Sequence, residues 1–445
     1  MTRQVHLNVN ILNSGVFGGS WRFPGTDPFA AFGISHYVNI ARKAEAAGLD
    51  AVFLADGPVV GDDVRHRPFN SLEPTVVLAA IAASTSRIGL IGTLSSSYND
   101  PYDVARRLAT LDVLSKGRSG FNVVTTAGVA AARNFGLTEE PEHGRRYRRA
   151  AEFVEVVRTL WNSWEADALV GDKSAHRFVD TTRIHDAEFV GEFFSVAGAL
   201  NVPRSPQGEP VLVQAGASKD GRALAAKVGE VIFTAAQTVE EAREYYQDVK
   251  GRAAALGRDP SQVVILPGLS TVVGSTEKEA KERRELLDEL VPPQYAIDRL
   301  AGQLGVPAEA LELDGQLPWS LLADPDDAGG SQTFYRIALG LARRESLTVR
   351  QLLRRLGGGA GHRIVTGTPE QIADSIVEWV DAGVADGFNL MPDVLPSGFD
   401  DFADHVVPEL QRRGRFRTEY TGTTLRENLG LRVPVFGRDA RRVAS

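Results

Sequence analysis

The residues best suited to binding chemistry lie in a turn at residues 214–221, where a short apolar run ends in Gln-Ala-Gly-Ala-Ser-Lys-Asp-Gly. Ser218 stands where a helix is expected to begin, directly after the small residues Gly216 and Ala217. Free backbone N–H groups and the helix dipole favour an anion at such a position, and small residues let a phosphate approach closely. The turn therefore predicts a phosphate site, with an ordinary serine helix cap as the alternative.

A second candidate group is His143 and Tyr147, near the start of a long predicted helix. A spacing of four places both side chains on one helix face, where they can donate hydrogen bonds to a phosphate or a ribityl chain. In the alternative interpretation, Tyr147 belongs to the apolar stripe of that helix and packs in the core.

Polar residues also stand within or after other apolar runs of the chain, namely Asp56, Thr93 and Asn122. In a barrel of parallel strands, the carboxyl ends of all strands meet at one rim, which is the face that binds ligands. These three residues are therefore expected to contribute to a cofactor site. Each of them also suits a simpler role in capping a helix or a turn.

The elements that would position these residues are short apolar strands alternating with longer helices. Continuously apolar strands are typical of parallel strands buried on both faces. We predict strands at residues 5–12, 51–55, 88–94, 120–124, 211–215, 231–235, 263–269 and 388–391. Eight strand–helix units indicate an α/β chain folded as a (β/α)₈ TIM barrel. The alternative, an open doubly wound sheet, is less favoured because no GxGxxG follows the first strand.

Two long segments interrupt the repeat, one after the fourth strand at about residues 125–210 and one after the seventh at about residues 291–362. Insertions of this length at strand ends usually carry function. We expect residues 1–445 to form a single barrel domain that contains both insertions.

Composition excludes several classes of protein. The 445 residues include no cysteine, which excludes disulfides, a thiolate nucleophile and cysteine-ligated metals. No His/Asp/Glu spacing matches a known metal signature, so no metal is expected. The net charge of −8 argues against nucleic-acid and membrane partners. With no apolar run long enough to span a bilayer and no signal sequence, the chain is predicted to be cytoplasmic.

Longer motifs extend these local patterns over most of the chain. They are Phe-Leu-Ala-Asp at 53–56, Pro-Tyr-Asp-Val-Ala-Arg at 101–106, Phe-Asn-Val-Val-Thr-Thr at 121–126, the His143 to Tyr147 segment, Gln-Ala-Gly-Ala-Ser at 214–218, Gly-Thr-Pro-Glu-Gln at 367–371 and Gly-Thr-Thr-Leu-Arg-Glu-Asn-Leu at 422–429. With these motifs the chain resembles the bacterial-luciferase-like flavin monooxygenases, in the branch of nitrilotriacetate monooxygenase component A and dibenzothiophene-sulfone monooxygenase.

The resemblance implies a two-component monooxygenase. Reduced FMN would be a diffusible cosubstrate supplied by a separate NAD(P)H:FMN reductase, and O₂ would be activated as a C4a-peroxyflavin that oxygenates a small organic substrate, as in xenobiotic degradation. A homodimer or homotetramer is expected. The flavin-contacting positions of the family fall on Asp56, Thr93, His143, Tyr147 and Ser218, with the Gly216–Ala217 backbone at the phosphate and Asn122 lining the same floor.

One departure from the family concerns catalysis. Luciferase itself has a histidine after the second strand, where this chain has Asp56-Gly57. The sequence therefore assigns no catalytic residue and names no substrate. Two other functions remain open on the same scaffold, a deazaflavin (F420)-dependent dehydrogenase and a non-catalytic flavin-binding protein. Trp21 and Phe23, after the first strand, suit either an apolar substrate wall or core packing.

Overall fold

The computed structural model describes residues 3–69, 72–324, 332–357 and 361–434. Eight parallel strands form its centre: His6–Asn10, Ala51–Leu54, Gly89–Ser95, Ser119–Val124, Val211–Ala215, Val231–Thr234, Val264–Val273 and Gly387–Leu390. We number them one to eight in chain order. Each strand pairs with the next, strand eight pairs with strand one, and the sheet is therefore closed. The predicted TIM barrel is confirmed, with a strand in each of the predicted places.

Alternate residues of each strand face the helices and the barrel interior. Leu7 and Val9 of strand one belong to the core cluster that contains helix residues Tyr37 and Ile40. The neighbouring Asn8 and Asn10, equally buried, point the other way into the barrel. Burial on both faces explains why the strands are almost continuously apolar, and it makes an interior asparagine conspicuous.

The α-helices surround the barrel and fill the insertions. They are Ile34–Ala46, Pro74–Ser84, Pro101–Leu114, Val129–Asn134, His143–Trp161, Lys219–Val228, Val239–Ala255, Glu277–Glu289, Pro293–Leu304, Gln332–Arg344, Val349–Leu356, Pro369–Asp381, Ser397–Asp401, Val407–Arg412 and Leu425–Asn428, with a π-helical turn at Phe402–Val406. No helix in these described ranges is both long and apolar enough to cross a membrane.

Both insertions lie where the sequence places them, after strands four and seven. Within the first, helix His143–Trp161 packs between Pro101–Leu114 and Lys219–Val228 and thus serves as the fourth barrel helix. The first insertion also contains two antiparallel hairpins that were not predicted, Leu169–Asp172 with Arg177–Val179 and Phe189–Val190 with Ser195–Val196. Their strands are short and largely exposed, so they lack a clear apolar pattern.

The second insertion has a small core of its own, which includes Leu300, Tyr335 and Leu352. It is followed by a further strand that was not predicted, Arg363–Gly367, which pairs with residues 269–273 of strand seven. Strand seven therefore extends beyond the predicted end at residue 269. Through this pairing, the chain that follows the insertion rejoins the barrel at its rim.

The amino end of the barrel is closed by the C-terminal segment. Leu425, Leu429 and Leu431 pack in one cluster with interior residues such as Ala51 and Val211. The opposite end, at the carboxyl ends of the strands, is the one that receives the candidate site residues.

Candidate cofactor site

The turn after strand five is held in a close conformation. Ser218 caps helix Lys219–Val228, and its Oγ accepts a hydrogen bond from the backbone N–H of Gly221 at 3.1 Å. A Cβ on Gly216 would lie 3.2 Å from the Cα of Gly221, so the backbone of the turn passes close to the backbone of the first helical turn. The Tyr245 hydroxyl donates to the Gly216 carbonyl at 2.8 Å and fixes the turn from below. The predicted serine cap is therefore present, and further N–H groups of the first helical turn have no partner within the helix.

His143 and Tyr147 approach this turn from the first insertion. Helix His143–Trp161 begins at His143 itself, because the Glu142 carboxylate accepts from the N–H groups of Gly144 and Arg145 at 2.7 and 2.8 Å. The two rings lie 4.8 Å apart, centre to centre, which places them on one helix face as predicted.

Contacts join the two segments. The Tyr147 hydroxyl lies 3.4 Å from Oγ of Ser218, and Nδ1 of His143 lies 3.0 Å from Oδ2 of Asp220. Tyr147 also packs against the core cluster that contains Phe153, as the core interpretation of this residue predicts. Its ring borders the core while its hydroxyl reaches the turn. The His143 side chain remains 41% exposed and open to a ligand.

Thr93 and Asn122 form a buried pair on strands three and four. The register sets them directly opposite each other, and Nδ2 of Asn122 donates to Oγ1 of Thr93 at 2.8 Å. Oδ1 of Asn122 has no hydrogen-bond partner among the described residues. The pair supplies a fixed polar surface inside the mouth of the barrel.

Asp56 lies at the same rim, two residues beyond strand two. Asp56 as a whole is exposed. Its carboxyl group is nevertheless partly desolvated by the surrounding protein, which raises its pKa. A hydrogen bond from the Gly57 N–H lowers the pKa of Asp56, and repulsion from the Glu73 carboxylate raises it further. The structure thus brings His143, Tyr147 and Ser218 into direct contact. Thr93 and Asn122 lie inside the barrel mouth, and Asp56 lies at its rim.

Several polar residues inside the barrel were not singled out from the sequence. Asn8, Asn10, Ser270 and Asn389 are buried, and each has at least one side-chain atom without a partner in the described part of the chain. Burying such groups unpaired is costly, so they fit a ligand that carries several hydrogen-bonding atoms. A flavin ring system is such a ligand. The signal in the sequence was asparagine within otherwise apolar strands.

Aromatic residues also face this space. The ring centre of Phe233 on strand six lies 5.7 Å from that of Phe53 on strand two and 5.0 Å from that of His362. Phe23 packs against the cluster that Phe233 also borders, with the Arg283 guanidinium over its ring at 4.8 Å. Nε1 of Trp21 donates to the carbonyl of His66. No group of three or more residues able to hold a metal occurs in the part of the chain described.

Comparisons with known proteins identify the family of the chain. The sequence model of the luciferase-like monooxygenase family matches residues 17–386. The chain is 46% identical to nitrilotriacetate monooxygenase component A of Aminobacter aminovorans, over 97% of each chain. It is 42% identical to dibenzothiophene-sulfone monooxygenase of Rhodococcus erythropolis, over 94% of each chain. Among solved structures, a riboflavin lyase with modified FMN and riboflavin superimposes with a TM-score of 0.85 at 34% identity, covering 99% of each chain.

These matches span nearly the whole barrel and both insertions. They establish a flavin-dependent monooxygenase rather than a deazaflavin-dependent dehydrogenase or a non-catalytic flavin-binding protein. The resemblance inferred from the motifs is thereby confirmed, and the chain belongs to the luciferase-like monooxygenase family.

Proposed function

We propose that this flavin-dependent monooxygenase takes reduced FMN from a separate NAD(P)H:FMN reductase and uses it with O₂ to oxygenate a small organic substrate. The observation that carries the proposal is the contact cluster of His143, Tyr147 and Ser218 at the start of a ten-residue helix. One relative is named component A of nitrilotriacetate monooxygenase. That name supports the existence of a second component, which would supply the electrons.

In this proposal the FMN phosphate binds at the turn after strand five. The Ser218 hydroxyl and the backbone of Gly216 and Ala217 hold its oxygens, and the helix dipole adds a favourable field. The Tyr147 hydroxyl and a ring nitrogen of His143 donate from the other side. The Asp220 carboxylate, 3.0 Å from Nδ1, orients the His143 ring for that purpose.

The ring and ribityl chain then extend into the barrel mouth. Thr93 and Asn122 form the floor under the ring system, while Asp56 faces the flavin at the rim. Bound reduced flavin supplies the electrons that activate O₂. The protein orients flavin and substrate and keeps water away from them, and the buried interior around Phe53 and Phe233 suits that exclusion.

Turnover with and without a reductase tests the proposal. The purified chain with NADH and FMN alone is expected to oxygenate nothing, and addition of a generic FMN reductase or of photoreduced FMN should start turnover. Nitrilotriacetate and dibenzothiophene sulfone, the compounds in the names of two relatives, are the first substrates for a screen. Product should be scored against simple release of hydrogen peroxide.

Two results would contradict the proposal. NADH-driven oxygenation by the isolated chain would remove the need for a separate reductase, and failure to bind reduced FMN would remove the cosubstrate. We expect a homodimer or a homotetramer, and light scattering of the purified chain measures the oligomeric state separately.

A further inference from the structure

His362 occupies the interior of the barrel although it comes from the end of the second insertion. The strand that follows it pairs in parallel with strand seven, with Arg363 opposite Leu269. His362 is therefore beside Gly268, whose position faces the barrel interior as that of Leu266 does. A Cβ on Gly268 would collide with the imidazole ring, so the missing side chain makes room for it.

Aromatic contact fixes the plane of this imidazole. The His362 ring stacks on Phe233 with an angle of 16° between the planes and 5.0 Å between the centres. Phe233 itself contacts Phe53 from across the barrel. His362 thus extends an aromatic surface that lines the mouth on the side of strands six and seven.

The barrel geometry determines which ligand can reach that surface. In a closed barrel of eight strands, strand five lies diametrically opposite strand one. We therefore expect a flavin anchored by its phosphate at Ser218 to extend its ring across the mouth toward strands one and eight. The Thr93–Asn122 pair then lies under the ring at strands three and four, and Phe233 with His362 borders it at strands six and seven.

The polar atoms near His362 have no protein partners in the described part of the chain. They are Nδ1 of His362 and both amide atoms of Asn389, which lies opposite Gly268 in the sheet. Burial lowers the pKa of His362 to about 4, and no charged neighbour contributes to the shift. The ring is therefore neutral at physiological pH and has one N–H donor and one acceptor nitrogen. The polar edge of a flavin ring likewise carries both donors and acceptors.

We propose that His362 is a flavin-binding residue, which forms the wall of the ring pocket beside strands six and seven and hydrogen bonds with the polar edge of the ring. This inference rests on the proposed binding of FMN at the Ser218 turn. It gives the second insertion a direct part in the cofactor site, because the insertion delivers His362 to the barrel. The competing role of His362 is to fill the core beside Gly268.

Histidine NMR of the whole chain separates these roles without any substrate. The chain contains eight histidines, and the spectra of His362→Phe and His143→Ala assign two of them by their missing signals. Reduced FMN is added anaerobically to the labelled protein. We expect the His143 and His362 signals to shift on saturation, while His6, which pairs with Asp50 at the amino end of the barrel, stays unchanged.

The His143 signal makes the outcomes distinct. A shift of His143 without one of His362 would overturn this inference and leave the proposed FMN site intact. If neither signal shifts, FMN does not bind as proposed, and the inference falls with it.

Affinity measurements provide a second, independent readout. His362→Phe keeps the stacking on Phe233 and deletes the nitrogens, so reduced FMN should bind about fivefold more weakly, the loss expected for one neutral hydrogen bond. Gly268→Ala should have a similar effect by displacing the imidazole. His66→Phe is the control, since His66 also contacts an aromatic ring, that of Tyr295, at 4.9 Å between the centres but outside the barrel. It should change the affinity less than about twofold. Wild-type affinity in both His362→Phe and Gly268→Ala would overturn the inference.

Discussion

The hydroxyl of Tyr147 lies 3.4 Å from Oγ of Ser218, although the two residues are 71 positions apart in the chain. One belongs to the helix after strand four and the other caps the helix after strand five. Adjacent units of the barrel bring them together at the carboxyl ends of their strands. The contact places two hydroxyl groups and the His143 ring around the start of one helix, where a phosphate can be bound from two sides.

A negative charge at Ser218 should abolish most of the affinity for reduced FMN. Ser218→Asp would set a carboxylate against the phosphate in a partly desolvated site, and we expect binding to weaken by about 100-fold or more. Anaerobic titration of reduced FMN measures the effect. Ser174→Asp, in an exposed hairpin turn, controls for the added charge alone. Unchanged affinity in a folded Ser218→Asp variant would remove Ser218 from the phosphate site.

Loss of the Tyr147 hydroxyl should weaken flavin binding with little effect on the fold. A hydrogen bond to a charged phosphate contributes about 1.5–3 kcal/mol, so Tyr147→Phe should raise the Kd of reduced FMN about ten- to a hundredfold. His143→Ala should act similarly, and the two changes should not be additive because both residues serve one anion.

Tyr102→Phe is a suitable control for Tyr147→Phe, because Tyr102 borders the same core cluster but directs its hydroxyl at the Ala199 carbonyl. It should leave the Kd unchanged. If Tyr147 acted only as a core residue, Tyr147→Phe would have no effect on the Kd and Tyr147→Ala would lower the Tm.

Removal of the Thr93 hydroxyl should destabilise the floor of the site. Thr93→Val keeps the shape of the side chain but leaves the buried Nδ2 of Asn122 without its acceptor. An unsatisfied buried donor costs about 1–3 kcal/mol, which should appear in urea unfolding of the flavin-free chain. A free energy of unfolding equal to that of the wild type would show that this pair is not a fixed part of the barrel interior.

The buried carboxylate of Asp112 should make stability depend on pH. It accepts from the Ser119 N–H at 2.9 Å and from Nε2 of Gln207 at 2.6 Å, and it also bonds with the Ser205 hydroxyl. Burial nevertheless raises its pKa to about 6. The folded chain therefore binds more protons than the unfolded chain between about pH 4 and pH 6, and this group's contribution to stability is lost as the pH rises through that window.

Asp112→Asn keeps an acceptor for both N–H donors and cannot ionise. Its free energy of unfolding, relative to wild type, should therefore rise by about 2–3 kcal/mol from pH 4 to pH 7. Asp103→Asn, in the same helix but exposed, should show a difference that stays within about 0.5 kcal/mol across this range. A pH-independent difference for Asp112→Asn would contradict the raised pKa.

The eight barrel strands could be predicted because each is buried on both faces and is therefore almost continuously apolar. The hairpin Leu169–Asp172 with Arg177–Val179 lacks that pattern, since most of its residues face solvent. Arg363–Gly367 was missed for a related reason. It is half-buried, and it becomes a strand by pairing with the extension of strand seven.

The sequence by itself determined the class of fold, the family, and the local arrangement at each part of the site: a capped helix after two small residues, and two ring side chains four residues apart. These features depend on neighbouring residues, whose spacing sets burial and helix face. Only the tertiary structure decided which parts meet. Strand order brings Tyr147 to Ser218, and the pairing of residues 363–367 with strand seven sets His362 in the space left by Gly268. Such contacts depend on long-range strand register, which no local pattern of residues encodes.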